Sequence, residues 1–162
     1  MNIENQGEHD FFDQANNAWD MGDEVRAFEL FMNAAQLGDI YAFNSIGYFY
    51  DEGLGIPVNK QQALKWYKKA AAYGDVPACI NLGVFYKEAG NIRQAKFWFR
   101  RAITLGDDSG VLHLAKILCS QHSKKSTRYI QELLNKIISS DDICEDDKKE
   151  AHQLLKTLSL VN

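Results

Sequence analysis

The chain has little of what secreted, membrane-embedded or catalytic proteins advertise. Its 162 residues include three cysteines, Cys79, Cys119 and Cys144, an odd number widely spaced and in no CxxC pair. That pattern fits reduced, buried thiols better than a disulfide framework. The first ten residues, MNIENQGEHD, are polar and acidic where a secretory signal would be basic and then apolar. No apolar run approaches the roughly 18 residues a membrane span requires. A cytoplasmic location is the expectation. His9, His113, His122 and His152 neither cluster nor show ligand spacing, and no HExxH or Ser/His/Asp arrangement can be assembled from local motifs. Hence no catalytic residue, metal or cofactor is expected.

What is present is repetition. Ala42, Gly47, Tyr50, Ala63, Trp66, Ala70 and Gly74 return as Ala78, Gly83, Tyr86, Ala95, Trp98, Ala102 and Gly106. With Gly47 as reference, the equivalents Ala15, Gly47, Gly83 and Ala115 are separated by 32, 36 and 32 residues. A second small position follows at Ala27, Ala63, Ala95 and Thr127. Small residues facing each other let two helices approach closely, as an antiparallel hairpin requires, so Gly47 is expected opposite Ala63 and Gly83 opposite Ala95. Four copies are read, at about 8–38, 39–74, 75–106 and 107–139, with a capping helix at about 143–158. With 46% hydrophobic residues, the chain is long enough to bury a continuous core as one domain.

Within the copies, helices are expected at about 8–21, 24–37, 41–51, 60–73, 77–89, 92–105, 109–120 and 124–139, followed by the capping helix carrying Ala151, Leu154, Leu155 and Leu158. Asn59 is placed to cap the helix from Lys60, Gly74 to end it in a left-handed conformation, and Pro77 to sit in a first turn. Gly53 and Gly55 invite comparison with a phosphate loop. Without GK[ST] or a preceding strand they read as a turn. Phe31, Tyr50, Trp66, Tyr67, Tyr86, Trp98 and Phe99 are read as core. Gln14, Asn16 and Asn17 give the first helix the polar face of a terminal unit.

The run Ala42-xxxx-Gly47-xx-Tyr50-xx-Gly53-x-Gly55-Ile-Pro, followed by Ala63-xx-Trp66-Tyr67-xx-Ala70-Ala71-xx-Gly74, resembles the Sel-one-like repeat family, relatives of the tetratricopeptide repeats. Copy three keeps Asn81-Leu82-Gly83 and Phe97-Trp98-Phe99-Arg100-Arg101-Ala102 but lacks the glycine loop. Copies one and four match only at small and apolar positions. The resemblance implies an all-α fold, an α/α superhelical solenoid of antiparallel helix pairs whose first helices line a concave face that binds another protein. On matching positions that face holds Phe12, Asn16 and Trp19; Asn44, Tyr48, Asp51 and Glu52; Ile80, Val84 and Lys87; Leu112 and Lys116. Spacings of four and three put each set on one helical stripe, with Tyr48 as the aromatic anchor.

The implied function is a non-enzymatic protein-binding module: an adaptor, a regulator, or an immunity-type protein that sequesters a toxin. A cysteine-rich branch of the family, to which action on β-lactams is attributed, pairs two cysteines in every repeat. Here 41–74 contains none. Charge is uneven: residues 1–58 hold eleven acidic side chains against Arg26 alone, and 59–136 hold fourteen basic against five acidic. The basic middle raises nucleic-acid binding, but the net charge is −4 and the basic residues sit mostly on second helices, which usually form a solvated outer face. Neither nucleic acid nor membrane is expected as a partner, and the chain is expected to be monomeric or weakly self-associating.

Overall fold

In the computed structural model, residues 6–120, 127–141 and 143–160 are described, with side chains from 10 to 158 within those ranges. They form nine helices and no strand: α1 (Gln6–Asp20), α2 (Glu24–Leu37), α3 (Ala42–Glu52), α4 (Lys60–Ala72), α5 (Val76–Glu88), α6 (Ile92–Thr104), α7 (Ser109–Ser120), α8 (Thr127–Ser139) and α9 (Glu145–Leu160). The fold class is an all-α solenoid of helix pairs. The start expected for α8 at Lys124 lies outside the described residues, as does His122. Contacts group the chain into two compact units, Met1–Leu82 and Gly83–Asn162.

In the first unit α1 pairs with α2, α2 packs on α3, and α3 pairs with α4. Ala15, Ala18, Ala27, Phe31, Ala34, Ala42, Ile46 and Phe49 form its core, all but inaccessible to water. Alternating small and aromatic side chains make this possible: the alanines bring backbones together and the rings fill what is left. Phe31 and Phe49 meet edge to face with centroids 5.5 Å apart, and Trp19 reaches Phe49 at 5.3 Å. Burying one such ring contributes about 1.5–3 kcal/mol. Of the consecutive aromatics on α3 it is Phe49 that is fully buried, while Tyr50, expected in the core, is half-buried against Phe28. Trp66, Tyr86 and Trp98 are likewise half-buried.

In the second unit α6 packs on α7, α7 on α8, and α9 lies against α8 and α7. Phe99, Val111, Leu114, Ala115, Ile130, Leu134, Ile137 and Ala151 are among its buried side chains.

The small positions are buried as their spacing predicts, apart from the half-buried Thr127, and an aromatic ring enters beside each of the two glycines. A β-carbon on Gly47 would fall 2.6 Å from Cδ1 of Tyr67, and one on Gly83 would fall 2.6 Å from Cδ1 of Phe99. Each glycine therefore receives the aromatic ring four residues beyond Ala63 or Ala95. Ala63 and Tyr67, like Ala95 and Phe99, stand one helical turn apart on one face, so the ring comes from the same stripe as the expected small partner.

The joints between helices are built alike. Gly38, Gly74 and Gly106 adopt φ of 103°, 86° and 97°, a conformation costly for any residue with a side chain. The aspartate after each glycine then works in both directions. The N–H groups of Asp39, Asp75 and Asp107 donate to the carbonyls of Ala34, Ala70 and Ala102 at 3.0, 3.2 and 3.1 Å, closing the finished helix. Their carboxylates accept from the backbone N–H groups of Tyr41, Ala78 and Ser109 at 2.9, 2.6 and 2.7 Å, at the start of the next helix. Within hairpins, Asp23, Asn59 and Asn91 accept from Arg26, Gln62 and Gln94 in the same manner.

The longer connection of the second copy has its own anchor. Gly55, at φ 65°, lies against the first residues of α2, where a β-carbon would come within 2.6 Å of the Val25 nitrogen. These glycines make a packed turn, and the loop ends where the Asn59 N–H donates to the Tyr50 carbonyl at 2.8 Å.

Candidate functional site: the first-helix face

In the first unit, α1 and α3 bring two of the singled-out aromatics together. Tyr48 and Trp19 have ring centroids 5.8 Å apart, tilted at 43°. Trp19 is half-buried, its far side held by Phe31 and Phe49. Tyr48 is 37% exposed. The result is an aromatic side chain open to solvent on one side and braced on the other, which reduces the rotamer freedom a partner would have to freeze. Phe12 is held between Phe31 at 5.6 Å and Tyr41 at 6.4 Å, and Asn16 is half-buried on the same helix.

Polar groups flank the aromatic pair. The Asn81 side-chain amide donates to Asn44 Oδ1 at 3.0 Å, linking α3 to the middle of α5. Ile80, expected at the position equivalent to Asn44, is half-buried beside this bond. Asn81 lies one position off the stripe that the repeat spacing predicts. The asparagine shared by copies two and three, one position apart in the repeat frame, was its only signal.

Asp51 faces into its own hairpin. Its carboxylate accepts from Lys60 Nζ at 2.6 Å and from the Tyr67 hydroxyl at 3.4 Å, and only 16% of the side chain is exposed. Burial of the Tyr67 hydroxyl, reinforced by the negative charge of Asp51, raises its pKa far above the ordinary phenol range. That hydroxyl stays protonated and tethered, which makes Asp51 a clasp between α3 and α4. Glu52, the next residue, is exposed.

In the second unit, Val84 is half-buried and Lys87 exposed at the end of α5. On α7 the stripe is covered. Leu112 is only 6% exposed, and Lys116 Nζ pairs with Glu150 Oε2 of α9 at 2.8 Å. Leu112 is core here, because α9 lies against α7 where the repeat pattern would leave a first helix open. His113, between these two, stacks on Phe99 at 4.8 Å and 6°. Burial, followed by the nearby charges of Lys116 and Lys87, lowers its pKa below the usual histidine value.

Cys79 is buried, Cys119 half-buried and Cys144 exposed, all three as free thiols. Among the described residues no cluster of three His, Cys, Asp or Glu side chains is arranged to hold a metal, and no helix is long and apolar enough to cross a membrane.

Helix hairpins joined by Gly-Asp corners, with small residues receiving rings from the facing helix, define an α-helical repeat protein. The particular class follows from comparison with known families. The Sel1 repeat profile matches residues 21–39, 42–75 and 76–107, just over half of the chain. The chain belongs to the Sel1 repeat family, whose fold is typical of protein-interaction modules. Helix α1 and the segment from α7 onward lie outside the matched repeats.

Two solved structures share the fold. A Sel1 repeat protein from Oxalobacter formigenes superposes with a TM-score of 0.67 at 22% identity, over 92% of this chain and 69% of that one. A protective antigen of uropathogenic Escherichia coli with an SLR fold gives 0.54 at 24% identity, over 83% of this chain and 34% of its own. At these identities the likeness is one of fold. No curated protein matches the chain in sequence.

Proposed function

We propose that this chain is a non-enzymatic protein-binding module that receives a partner protein on the first-helix face of its first unit, with Tyr48 as the anchor. The observation that carries this reading is the Tyr48–Trp19 pair: an exposed ring braced by a half-buried one. Rigid, amphipathic aromatics of this kind dominate the energetics of protein interfaces. The adjoining Asn44–Asn81 bond and the exposed Glu52 supply polar groups at the edge of such a contact. The module acts in the cytoplasm as an adaptor, a regulator or an immunity-type binder of a single protein.

The test is site-directed photo-crosslinking in cells, with the reactive side chain at position 48 and, as control, at the exposed Glu29 of α2. An adduct with one protein from position 48 but not from 29 is the expected result. That protein, purified, should then lose about 2 kcal/mol or more of binding free energy toward Tyr48→Ala, read calorimetrically, while circular dichroism stays helical. Equal adducts from both positions, or unchanged affinity in the variant, would place binding elsewhere.

A further inference from the structure

The exposed face of α6 in the second unit departs from its counterpart in the preceding repeat. Aligned on Ala63 and Ala95, the residues Gln61, Lys65, Lys68 and Lys69 of α4 correspond to Arg93, Phe97, Arg100 and Arg101 of α6. Where α4 carries lysine or glutamine, α6 carries arginine, and where α4 carries Lys65, α6 places a phenylalanine. Phe97 is 51% exposed, although Ala95, Phe99 and Ala102 of the same helix are buried on its opposite side. It belongs to the outer stripe and not to the core.

Arg93, Phe97, Arg100, Arg101 and Thr104 line an open groove of about 470 Å³ along this stripe. The Phe97 ring is fixed edge-on against Trp98 at 5.1 Å, and the Arg101 guanidinium lies 5.5 Å over the Trp98 ring. No acidic residue occurs in α6. Among the described residues, no carboxylate forms an ion pair with Arg93 or Arg100.

An exposed phenylalanine ringed by arginines, in a helix without one acid, has a cost for the free protein that a complementary ligand removes. Guanidinium forks bind carboxylates in bidentate fashion, which the lysines of α4 cannot reproduce. We propose that this face of α6 is a second docking surface, for an acidic protein segment that places carboxylates on Arg93 and Arg100 and an apolar side chain on Phe97. The chain's net charge of −4 favours a short acidic segment over a long polyanion such as nucleic acid. This surface is independent of the Tyr48 face, so either can fail without the other.

The full chain is titrated, by fluorescence anisotropy, into a panel of labelled ten-residue peptides. Each carries four Asp or Glu around a central Leu or Phe, and each has a twin with serine at the apolar position. Saturable binding is expected, weakened at least tenfold by Arg93→Gln/Arg100→Gln and by Phe97→Ser, weaker for the serine twins, and unchanged by Tyr48→Ala. Because all three α6 side chains are at the surface, circular dichroism of the variants should match the parent. No saturable binding anywhere in the panel, or binding indifferent to the α6 substitutions, overturns the proposal. So does tighter binding of a single-stranded oligonucleotide of equal charge, which would make the patch a nucleic-acid site.

Discussion

The ring of Tyr67 occupies the space that a β-carbon on Gly47 would need, and its hydroxyl continues past the glycine to Asp51 at 3.4 Å. One side chain thus fills the gap between α3 and α4 and fastens its far end. Phe99 repeats the filling against Gly83 without the fastening.

Gly47→Ala and Gly83→Ala should therefore each destabilise the fold by about 1–3 kcal/mol, the usual cost of overpacking a close helix contact. Denaturant midpoints measure it. If shrinking the ring compensates, the double variant Gly83→Ala/Phe99→Leu should recover part of the loss, whereas Gly83→Ala/Thr104→Ala should not. A Gly83→Ala protein as stable as the parent would remove the ring from the helix contact.

The corner aspartates give a second expectation. Asp75→Ala leaves the Ala78 N–H without its acceptor and should cost about 1 kcal/mol, in the range of a lost N-terminal cap. Asp75→Asn keeps the acceptor and should recover most of it. Equal losses in both variants would mean that charge, and not the hydrogen bond, is what matters at the corner.

Gly55 is constrained twice, by its positive φ and by the approach of α2. Gly55→Ala should destabilise the first unit, and hydrogen exchange should quicken at the first turn of α2, near Val25, as well as in the loop itself. Faster exchange confined to the loop would show that the loop does not brace α2.

His113 makes stability depend on pH. Its pKa is lower in the folded chain than unfolded, so the unfolded state binds the extra proton more readily. The contribution of neutral His113 is complete above the unfolded value of about 6.5 and declines as pH falls below it, levelling off once the folded pKa is passed. The stability slope between about pH 7 and 5 should flatten in His113→Gln. An identical slope in that variant would assign the dependence to other groups.

The sequence showed the repeat, the helices and most of their ends, because these are local: periodicity reports which face of a helix is apolar, and Asn59 or Gly74 mark their own positions. It did not show which ring fills the space beside each glycine. Gly47 and Ala63 are both small and both buried, and the ring against Gly47 comes from Tyr67 one turn along the same face, which spacing within a helix does not single out. Asp75 and Asp107 look in sequence like any surface carboxylate, since nothing but the preceding glycine distinguishes them. Phe97 in sequence is one more aromatic of the repeat pattern, and its exposure emerges only from which side of α6 is buried. Leu112 occupies a stripe position of its copy and is buried all the same, because α9 covers α7 and no spacing rule anticipates that cover.

The Gly-Asp corner has a consequence for how such a chain changes length. Each corner is closed by hydrogen bonds between the end of one helix and the first turn of the next. A duplication or deletion whose borders fall at these aspartates would carry a complete junction with it and leave the neighbouring junctions intact. Repeat number in such an array can change one hairpin at a time without a new junction having to be built.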